Sequence, residues 1–270
     1  MLWSLQAPGL PTSYLFGTVH LSDERILNLP APVLRAFDAS QRCLFELIVP
    51  QDGYTLTVTR MLLSHGLYLQ DVIGDEAFNK VVVAAGRYGI PTAAIGRMRP
   101  EALMLAFQSP PSEWQRRLRG WAFLDLALQN EARAVGKPIY ALETIGEHLA
   151  LDPFRNSPNV GLLLEGMVEN SFRMERDMEA LVRYYLRRDL DAMFSAEEGR
   201  IALLPEAERA AHAAYMLLLR DVRNEAMVQR MLPHLRAASS FVAVGAAHLP
   251  GKTGMLHLLE LQGFRVTRLH

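Results

Sequence analysis

The sequence predicts an α+β fold, in which a mixed central β-sheet is surrounded by many helices and carries a helical insertion. Three observations lead to this prediction. Short apolar runs typical of strands lie mainly near the two ends of the chain. Long segments with helical periodicity fill the middle. Half of the 270 residues are apolar, which is enough to fill a large core.

The charge of the chain is close to neutral. It has 28 basic and 29 acidic residues, for a formal net charge of −1. This balance gives no reason to expect a nucleic acid or an anionic membrane as a partner. The single cysteine, Cys43, cannot form a disulfide within the chain, so the fold is expected not to depend on an oxidising compartment.

The first residues show no sign of export. Residues 1–6 lack the basic segment and the long apolar segment of a secretory signal. No window reaches the roughly 18 apolar residues of a membrane span. The sequence therefore predicts a cytoplasmic protein without a membrane span, and an exported one if a leader has been removed. Its oligomeric state is left open.

Two short strands open the chain. Apolar runs over residues 2–5 and 13–16 are joined through Pro8, Gly9 and Pro11, which predicts a hairpin-like arrangement. A helix with proline near its first turn follows over residues 33–40.

The next apolar run, over residues 43–49, predicts a buried strand that is interrupted only by Glu46. A carboxylate in the middle of a buried strand is costly unless it is paired or bound to a metal. Glu46 is therefore a candidate site residue. The alternative is a buried ion pair with a residue such as Arg223.

Helical periodicity then extends over residues 54–136, which is the predicted insertion. These helices either cover a crevice or only thicken the core. The pattern predicts helices over residues 54–65, 75–88, 100–108 and 112–135, with Ser112 as the N-cap of the last and with Gly89 and Gly136 as helix ends.

A strand is predicted over residues 139–142, and Glu143 follows its end. Thr144 is placed to cap a short helix over residues 145–149. After a loop over residues 152–159, long helices are predicted over 160–187 and 205–235, with turns between them. A strand, a helix and a strand over residues 241–244, 255–261 and 264–269 complete a single domain, residues 1–270.

The same short pattern, Gly-x-x-His, follows an apolar run near each end of the chain. It is Gly17-Thr18-Val19-His20 in the first case and Gly245-Ala246-Ala247-His248 in the second. Strand ends are rigid and open to a crevice, which is where ligands often bind. The remaining histidines fall on helical faces or ends, where a solvated or core role is expected.

Two histidines are too few for most catalytic metal sites, which take three protein ligands of nitrogen and oxygen type. Glu46 offers an oxygen ligand in a suitable place. Glu143 is a fourth candidate, and its alternative role is a charge that is favoured at a helix N-terminus.

Taken in order, these residues resemble the TraB/PrgY/GumN family, which includes the Tiki domain and is similar to the erythromycin-esterase and ChaN-like folds. The resemblance covers essentially the whole chain. The segments that carry it are Gly17-Thr18-Val19-His20, Leu44-Phe45-Glu46-Leu47, Leu142-Glu143-Thr144 with Glu147, Arg223-Asn224 and residues 244–251.

The resemblance implies one α+β domain whose two Gly-x-x-His motifs face one crevice and, for the Tiki branch, a metal-dependent peptidase. It implies His20 and His248 as metal ligands, Glu46 as the acidic site residue, and Arg223 with Asn224 as further polar site residues. Some members of the family resemble regulators of pheromone signalling or plasmid transfer, and ChaN-like relatives bind haem.

The resulting hypothesis is a metallohydrolase that acts on a peptide or protein substrate. A divalent ion, Mn²⁺, Co²⁺ or Zn²⁺, would be held by His20, His248 and Glu46 and would activate a water. Glu46 or Glu143 would serve as the general base. Arg223 and Asn224 would stabilise the oxyanion or hold a substrate carboxylate. The alternative is a non-catalytic peptide-binding or haem-binding regulatory protein.

Overall fold

The protein is described by a computed structural model over residues 1–48, 62–107, 109–148 and 160–270. Within these ranges the strands form one six-stranded sheet with the order β4-β3-β5-β2-β1-β6. The strands are β1 (Leu2–Gln6), β2 (Ser13–Thr18), β3 (Arg42–Phe45), β4 (Ile139–Ala141), β5 (Ser240–Gly245) and β6 (Arg265–Arg268).

Four neighbouring strands of this sheet are parallel. β4 pairs with β3, β3 with β5 and β5 with β2 in the parallel sense, whereas β1 is antiparallel to both β2 and β6. The carboxyl ends of the four parallel strands therefore lie along one edge of the sheet. His20, Glu46, Glu143 and His248 all follow these strand ends, so the topology brings the candidate residues to the same edge.

The helices cover most of the rest of the described chain, and with the mixed sheet they confirm the predicted α+β class. They are α1 (Glu24–Leu27), α2 (Ala31–Ala39), α3 (Leu69–Ile73), α4 (Asp75–Arg87), α5 (Thr92–Ile95), α6 (Pro100–Phe107), α7 (Pro111–Leu118), α8 (Leu124–Ala134), α9 (Ile145–His148), α10 (Val160–Arg187), α11 (Leu190–Ile201), α12 (Glu206–Met216), α13 (Val222–Ala237) and α14 (Met255–Leu261). A π-helical turn, Leu217–Asp221, joins α12 to α13, and a 3-10 turn, Ala246–His248, follows β5.

The buried apolar residues form two cores. One lies around the sheet and includes Phe45 and Phe241, together with residues of α2, α8, α13 and α14. The other lies among α3 to α6 and the first half of α10, and includes Tyr88 and Phe107. Because α10 contributes to both cores, we retain one domain over residues 1–270, with an insertion near residues 54–136, as a proposal.

Several predicted elements agree with the structure. The opening hairpin, α4, α6, α10 and α14 lie where the sequence places them, within a few residues. Thr144 caps α9 as expected, because its hydroxyl accepts a hydrogen bond from the Glu147 N–H over 3.2 Å while the Glu147 carboxylate accepts from the Thr144 N–H over 2.8 Å. This reciprocal arrangement is a capping box.

The prediction that Glu46 lies inside a strand is wrong, since β3 ends at Phe45 and Glu46 is the first residue after it. The apolar residues beyond Glu46 suggested a longer strand, because a short apolar run does not by itself distinguish a strand from a buried loop. Residues 49–61 lie outside the described residues, so the predicted helix over residues 54–65 is described only from Leu62, which forms an isolated bridge with Met98.

The single helix predicted over residues 112–135 is wrong, because it is divided into α7 and α8. Gly120 adopts a φ of 84°, which favours glycine. The N–H groups of Gly120 and Trp121 donate to the carbonyls of Arg117 and Arg116 over 2.9 and 3.1 Å, which is a Schellman ending. The predicted N-cap is also wrong, since Pro110 rather than Ser112 precedes α7.

Two other helix boundaries differ from the prediction. Of the turns expected between the long helices, the one at Asp189 is present, since residues 188 and 189 separate α10 from α11. The turn expected near Gly199 is wrong, because Gly199 lies within α11. Asp189 caps α11, as its carboxylate accepts a hydrogen bond from the Ala192 N–H over 3.0 Å. The helix predicted over residues 205–235 is interrupted by the π-helical turn. The loop predicted over residues 152–159 lies outside the described residues.

Among the described residues, no helix combines the length and the apolar character needed to cross a membrane.

Candidate metal centre

Three candidate side chains meet at Gly245, the last residue of β5. A methyl group placed on Gly245 would lie 3.1 Å from Glu46 Oε1, 3.6 Å from His248 Cδ2 and 4.0 Å from His20 Nε2. The structure therefore brings together the two histidines and the carboxylate that the sequence analysis selected from distant parts of the chain. The missing side chain of Gly245 leaves the space that these groups border.

The glycine of the first Gly-x-x-His motif also allows a close approach. A methyl group on Gly17 would lie 2.6 Å from Cδ1 of Leu249, the residue that follows His248. The Gly17 carbonyl accepts a hydrogen bond from the buried Tyr185 hydroxyl over 2.8 Å. These contacts pack the ends of the two neighbouring strands β2 and β5 together.

His248 is buried and held by Asn224 of α13. Its Nδ1 lies 2.6 Å from Asn224 Oδ1, while Asn224 Nδ2 donates to the carbonyls of Thr253 and His248 over 2.7 and 3.3 Å. The two carbonyls can only accept, which sets the orientation of the amide, so Nδ1 of His248 must be the donor. Burial lowers the pKa of His248 to about 4, and the neutral ring has its lone pair on Nε2.

His20 is held in the same way by Asp125 in the first turn of α8. Nδ1 of His20 donates to Asp125 Oδ2 over 2.8 Å, and the second oxygen of Asp125 accepts from the Thr18 hydroxyl over 2.6 Å. The partial removal of the His20 ring from water would lower its pKa, but the Asp125 carboxylate outweighs this effect and the pKa is raised. In the neutral ring, Nε2 is the nitrogen left to bind a ligand.

Glu46 is buried and ionised. Its Oε1 accepts a hydrogen bond from the Gly245 N–H and lies 3.5 Å from His248 Nε2, and its Oε2 lies 3.4 Å from Arg223 Nη2. Burial alone would raise the pKa of Glu46. The Arg223 guanidinium, the Gly245 N–H and any positive charge on the His248 and His20 rings outweigh burial and lower the pKa of Glu46.

The contact between His248 and Glu46 joins two acceptors. A neutral imidazole with its proton on Nδ1 presents a lone pair at Nε2, and the facing carboxylate oxygen carries negative charge. Two acceptors at 3.5 Å repel each other unless a proton or a metal ion is shared between them. Two imidazole nitrogens and one carboxylate oxygen are a donor set that suits Zn²⁺, Co²⁺ or Mn²⁺.

Arg223 and Glu143 form a second group next to Glu46. Nε and Nη2 of Arg223 donate to the two oxygens of Glu143 over 2.6 and 2.7 Å, which is a bidentate pair. Burial would raise the pKa of Glu143, but His148 and Arg223 lower it. The Glu143 N–H donates to the carbonyl of Glu46 over 2.8 Å, which links the loops after β3 and β4.

His148 belongs to this second group, because its Nδ1 lies 3.1 Å from Arg223 Nη2 and 3.3 Å from Glu143 Oε2. Glu46, Glu143 and His148 each offer an atom within 4.8 Å of the others, a spacing that could also hold a metal ion. Nη2 of Arg223 contacts all three, so a metal ion there would have to displace the guanidinium. The three nearest groups at the space beside Gly245 are instead the Glu46 carboxylate and the rings of His248 and His20.

Arg223 and Asn224 reach these groups from the start of α13, directly after the π-helical turn. Asp221, the last residue of that turn, accepts a hydrogen bond from the Thr253 hydroxyl over 2.8 Å. The turn is therefore tied to the loop between His248 and α14. A π-helical turn shifts the side chains that follow it relative to a regular helix, and such turns are frequent at functional sites.

Asp125 and Thr18 are site residues that the sequence does not predict, and His148 lies at the site although the sequence predicts a solvated or core role for it. Asp125 was hidden within the single helix predicted over residues 112–135. Had Gly120 been interpreted as a helix end, Asp125 would have been placed in the first turn of a new helix. His148 had no comparable signal, because its partners Arg223 and Glu143 come from distant segments.

Comparison with known proteins agrees with the resemblance seen in the motifs. The chain is 27% identical to the protein named Metalloprotease TIKI2 of Xenopus tropicalis and to that of Danio rerio, over 98% of this chain and 59% and 60% of those proteins. It is 22% identical to an uncharacterized protein of Treponema pallidum, over 96% of this chain and 80% of that protein. The chain thus spans about three-fifths of the length of these TIKI2 relatives.

No solved structure matches the chain. The profile of the TraB/PrgY/gumN family matches residues 1–268, which is nearly the full length. The order of the motifs, their meeting point at the edge of the sheet and this match lead to one conclusion, that the chain belongs to the TraB/PrgY/gumN family.

Proposed function

We propose that this chain is a metal-dependent hydrolase that cleaves peptides or proteins. The observation that carries the proposal is the meeting of His20 Nε2, Glu46 Oε1 and the His248 ring beside Gly245. The names of the TIKI2 relatives, which are called metalloproteases, support the same reaction class.

In this proposal His20 and His248 would hold a divalent metal ion through Nε2, and Glu46 would hold it through its carboxylate. The identity of the metal is left open among Mn²⁺, Co²⁺ and Zn²⁺. When bound, such an ion polarises a carbonyl and lowers the pKa of a water toward neutrality. Burial of Glu46 and His248 excludes bulk water from the inner side of the site, which strengthens charge interactions there.

Asp125 and Asn224 act as positioning residues. Each one occupies the Nδ1 side of a histidine ring, which leaves Nε2 of His20 facing Gly245 and Nε2 of His248 facing Glu46. Such partners commonly fix the tautomer and the orientation of metal-binding histidines. Asn224 was considered as an oxyanion donor, but both atoms of its amide are occupied by His248 and Thr253, so we assign it to the support of His248.

Of the two carboxylates considered as the general base, Glu46 has an oxygen that faces the space beside Gly245. Both oxygens of Glu143 accept hydrogen bonds from Arg223. We therefore assign Glu46 to the site itself. Arg223 compensates the charges of both carboxylates, which keeps Glu46 ionised in a buried place.

The proposal is tested by metal analysis of the purified protein and by cleavage of a mixed peptide library with and without a chelator. We expect about one equivalent of bound divalent ion, chelator-sensitive cleavage, and loss of both in His20→Ala and His248→Ala. His257→Ala is the matched control. The side chain of His257, on α14, is 47% exposed, which is similar to the 44% exposure of the His20 side chain.

Two results would contradict the proposal. The first is that the protein fails to bind Mn²⁺, Co²⁺ and Zn²⁺ when each is added in excess. The second is that His248→Ala retains wild-type cleavage. A Soret absorption band after addition of haem, in the absence of cleavage, would instead support the non-catalytic binding protein.

A further inference from the structure

Of the three proposed metal ligands, His20 is the one with a solvent-exposed side chain. The side chain of His20 is 44% exposed, whereas those of Glu46 and His248 are 8% and 9% exposed. Among the described residues, the His20 side is therefore the one from which a substrate can reach the space beside Gly245. Residues that border His20 are in a position to contact that substrate.

Phe123 borders this open side. Its ring meets the His20 ring edge to face, with 5.6 Å between the ring centres and an angle of 87°. The Arg117 guanidinium lies over the same Phe123 ring at 4.7 Å and donates to the His20 carbonyl over 2.5 Å. Phe123 is thus held in place by His20 and Arg117, and it puts an apolar ring next to His20.

Trp121 and Leu118 precede Phe123 in the chain, at the turn between α7 and α8. Their exposed fractions are 50% and 65%, which is high for large apolar side chains. The Schellman ending at Gly120 fixes the backbone that carries Trp121. The Arg116 guanidinium lies 5.6 Å from the centre of the Trp121 ring and is paired with Glu113 over 3.1 Å.

This turn is attached to the loop that follows His20. The Glu113 carboxylate accepts hydrogen bonds from the Ser22 N–H and hydroxyl over 2.8 and 2.9 Å, and the Leu124 N–H donates to the Leu21 carbonyl over 3.1 Å. The exposed apolar residues therefore keep a defined position relative to His20. Rigid aromatic side chains in such positions are typical of binding surfaces.

We propose that Leu118, Trp121 and Phe123, here called the aromatic rim, bind an aromatic or large aliphatic side chain of the peptide, next to the bond that is cleaved. This inference rests on the proposed function and specifies its substrate class. The charge next to the rim supports the choice, because Arg116 lies over the Trp121 ring and Arg117 lies over the Phe123 ring. A lysine or arginine side chain of the substrate would be repelled there, whereas an apolar aromatic ring would not.

The test uses fluorogenic peptides that are identical except for phenylalanine, leucine, alanine or lysine at one position, placed in turn on each side of the reporter bond. We expect the wild-type protein to cleave the phenylalanine peptide with a kcat/KM about tenfold or more above the alanine peptide, with lysine the poorest. Trp121→Ala and Leu118→Ala should reduce this preference to about threefold or less, without loss of bound metal. Leu261→Ala is the matched control, because Leu261 on α14 is 67% exposed.

A second measurement separates this inference from the proposed function. The phenylalanine and alanine peptides are titrated into His248→Ala by calorimetry, which detects binding without cleavage. The same titration is done with the double variant that carries Trp121→Ala and His248→Ala. If His248→Ala prefers the phenylalanine peptide and the double variant does not, the rim is supported even when no peptide is cleaved. If wild-type protein cleaves all the peptides equally, or Trp121→Ala keeps the preference, the rim is wrong and the hydrolase proposal stands.

Discussion

Nδ1 of the buried His248 donates a hydrogen bond to Oδ1 of the buried Asn224 over 2.6 Å. This contact selects the tautomer of His248 and directs Nε2 toward Glu46. Asn224→Leu keeps the approximate volume but leaves the His248 N–H without its acceptor. We expect a loss of about 1–3 kcal/mol in the free energy of unfolding and about 10–100-fold weaker metal binding.

Urea unfolding and metal titration measure these two effects. Asn130→Leu is the control, because Asn130 is exposed on α8 and should change neither quantity appreciably. Metal affinity that is unchanged in Asn224→Leu would show that Asn224 does not position His248.

A second prediction concerns the space beside Gly245. Gly245→Ala places a methyl group 3.1 Å from Glu46 Oε1 and close to both histidine rings. The φ of −54° at Gly245 is open to alanine, so the backbone is not strained. We expect a folded protein whose metal affinity falls about tenfold or more, because overpacking of this kind costs about 1–3 kcal/mol.

Gly166→Ala is the matched control for this change. Gly166 lies within α10, and a methyl group placed on it would have no neighbour within 4 Å. This control should bind metal as the wild type does and should be as stable or slightly more stable. Equal metal affinity in Gly245→Ala and Gly166→Ala would argue against a metal ion beside Gly245.

A third prediction concerns the buried charges. Arg223→Met removes the cation that lies between Glu143 and Glu46, and leaves both carboxylates buried near each other. Breaking a buried ion pair in this way costs about 3–5 kcal/mol. Arg230→Met on the same helix removes a pair with Glu147 whose side chains are 41% and 44% exposed, for which we expect about 1 kcal/mol or less. Similar urea midpoints for the two variants would contradict this assignment.

A fourth prediction concerns the thiol of Cys43 in β3. Burial raises the pKa of Cys43 to about 11, so the reactive thiolate is scarce in the folded protein near pH 8. We expect a thiol reagent to modify the folded protein at least tenfold more slowly than the protein in guanidinium. The reaction of the folded protein should accelerate as the pH rises toward 11. Fast labelling at pH 8 under native conditions would show that Cys43 is not buried in the sheet.

The sequence was informative about the ends of the parallel strands. The apolar runs before His20 and His248 predicted strands, and the glycine at each strand end marked a place where other groups come close. Glu46 stood out because an ionised group within an apolar run needs a partner. These local signals were sufficient for the fold class and for the residues that meet at Gly245.

Other parts of the site depend on contacts that local patterns do not contain. The bidentate pair of Arg223 and Glu143 joins segments 80 residues apart. The π-helical turn before Arg223 departs from the periodicity on which helix prediction is based. Asp125 was missed for a different reason, since helical propensity on both sides of Gly120 concealed the end of α7.

The central claim, that His20, Glu46 and His248 bind one divalent metal ion, is tested most directly by a crystal structure of the protein soaked with Mn²⁺ or Zn²⁺, with anomalous scattering to locate the ion. The account predicts one ion beside Gly245, about 2.0–2.2 Å from Nε2 of both histidines and from a carboxylate oxygen of Glu46. An ion bound instead by Glu143 and His148 with Arg223 displaced, or no ion at either position, would contradict it.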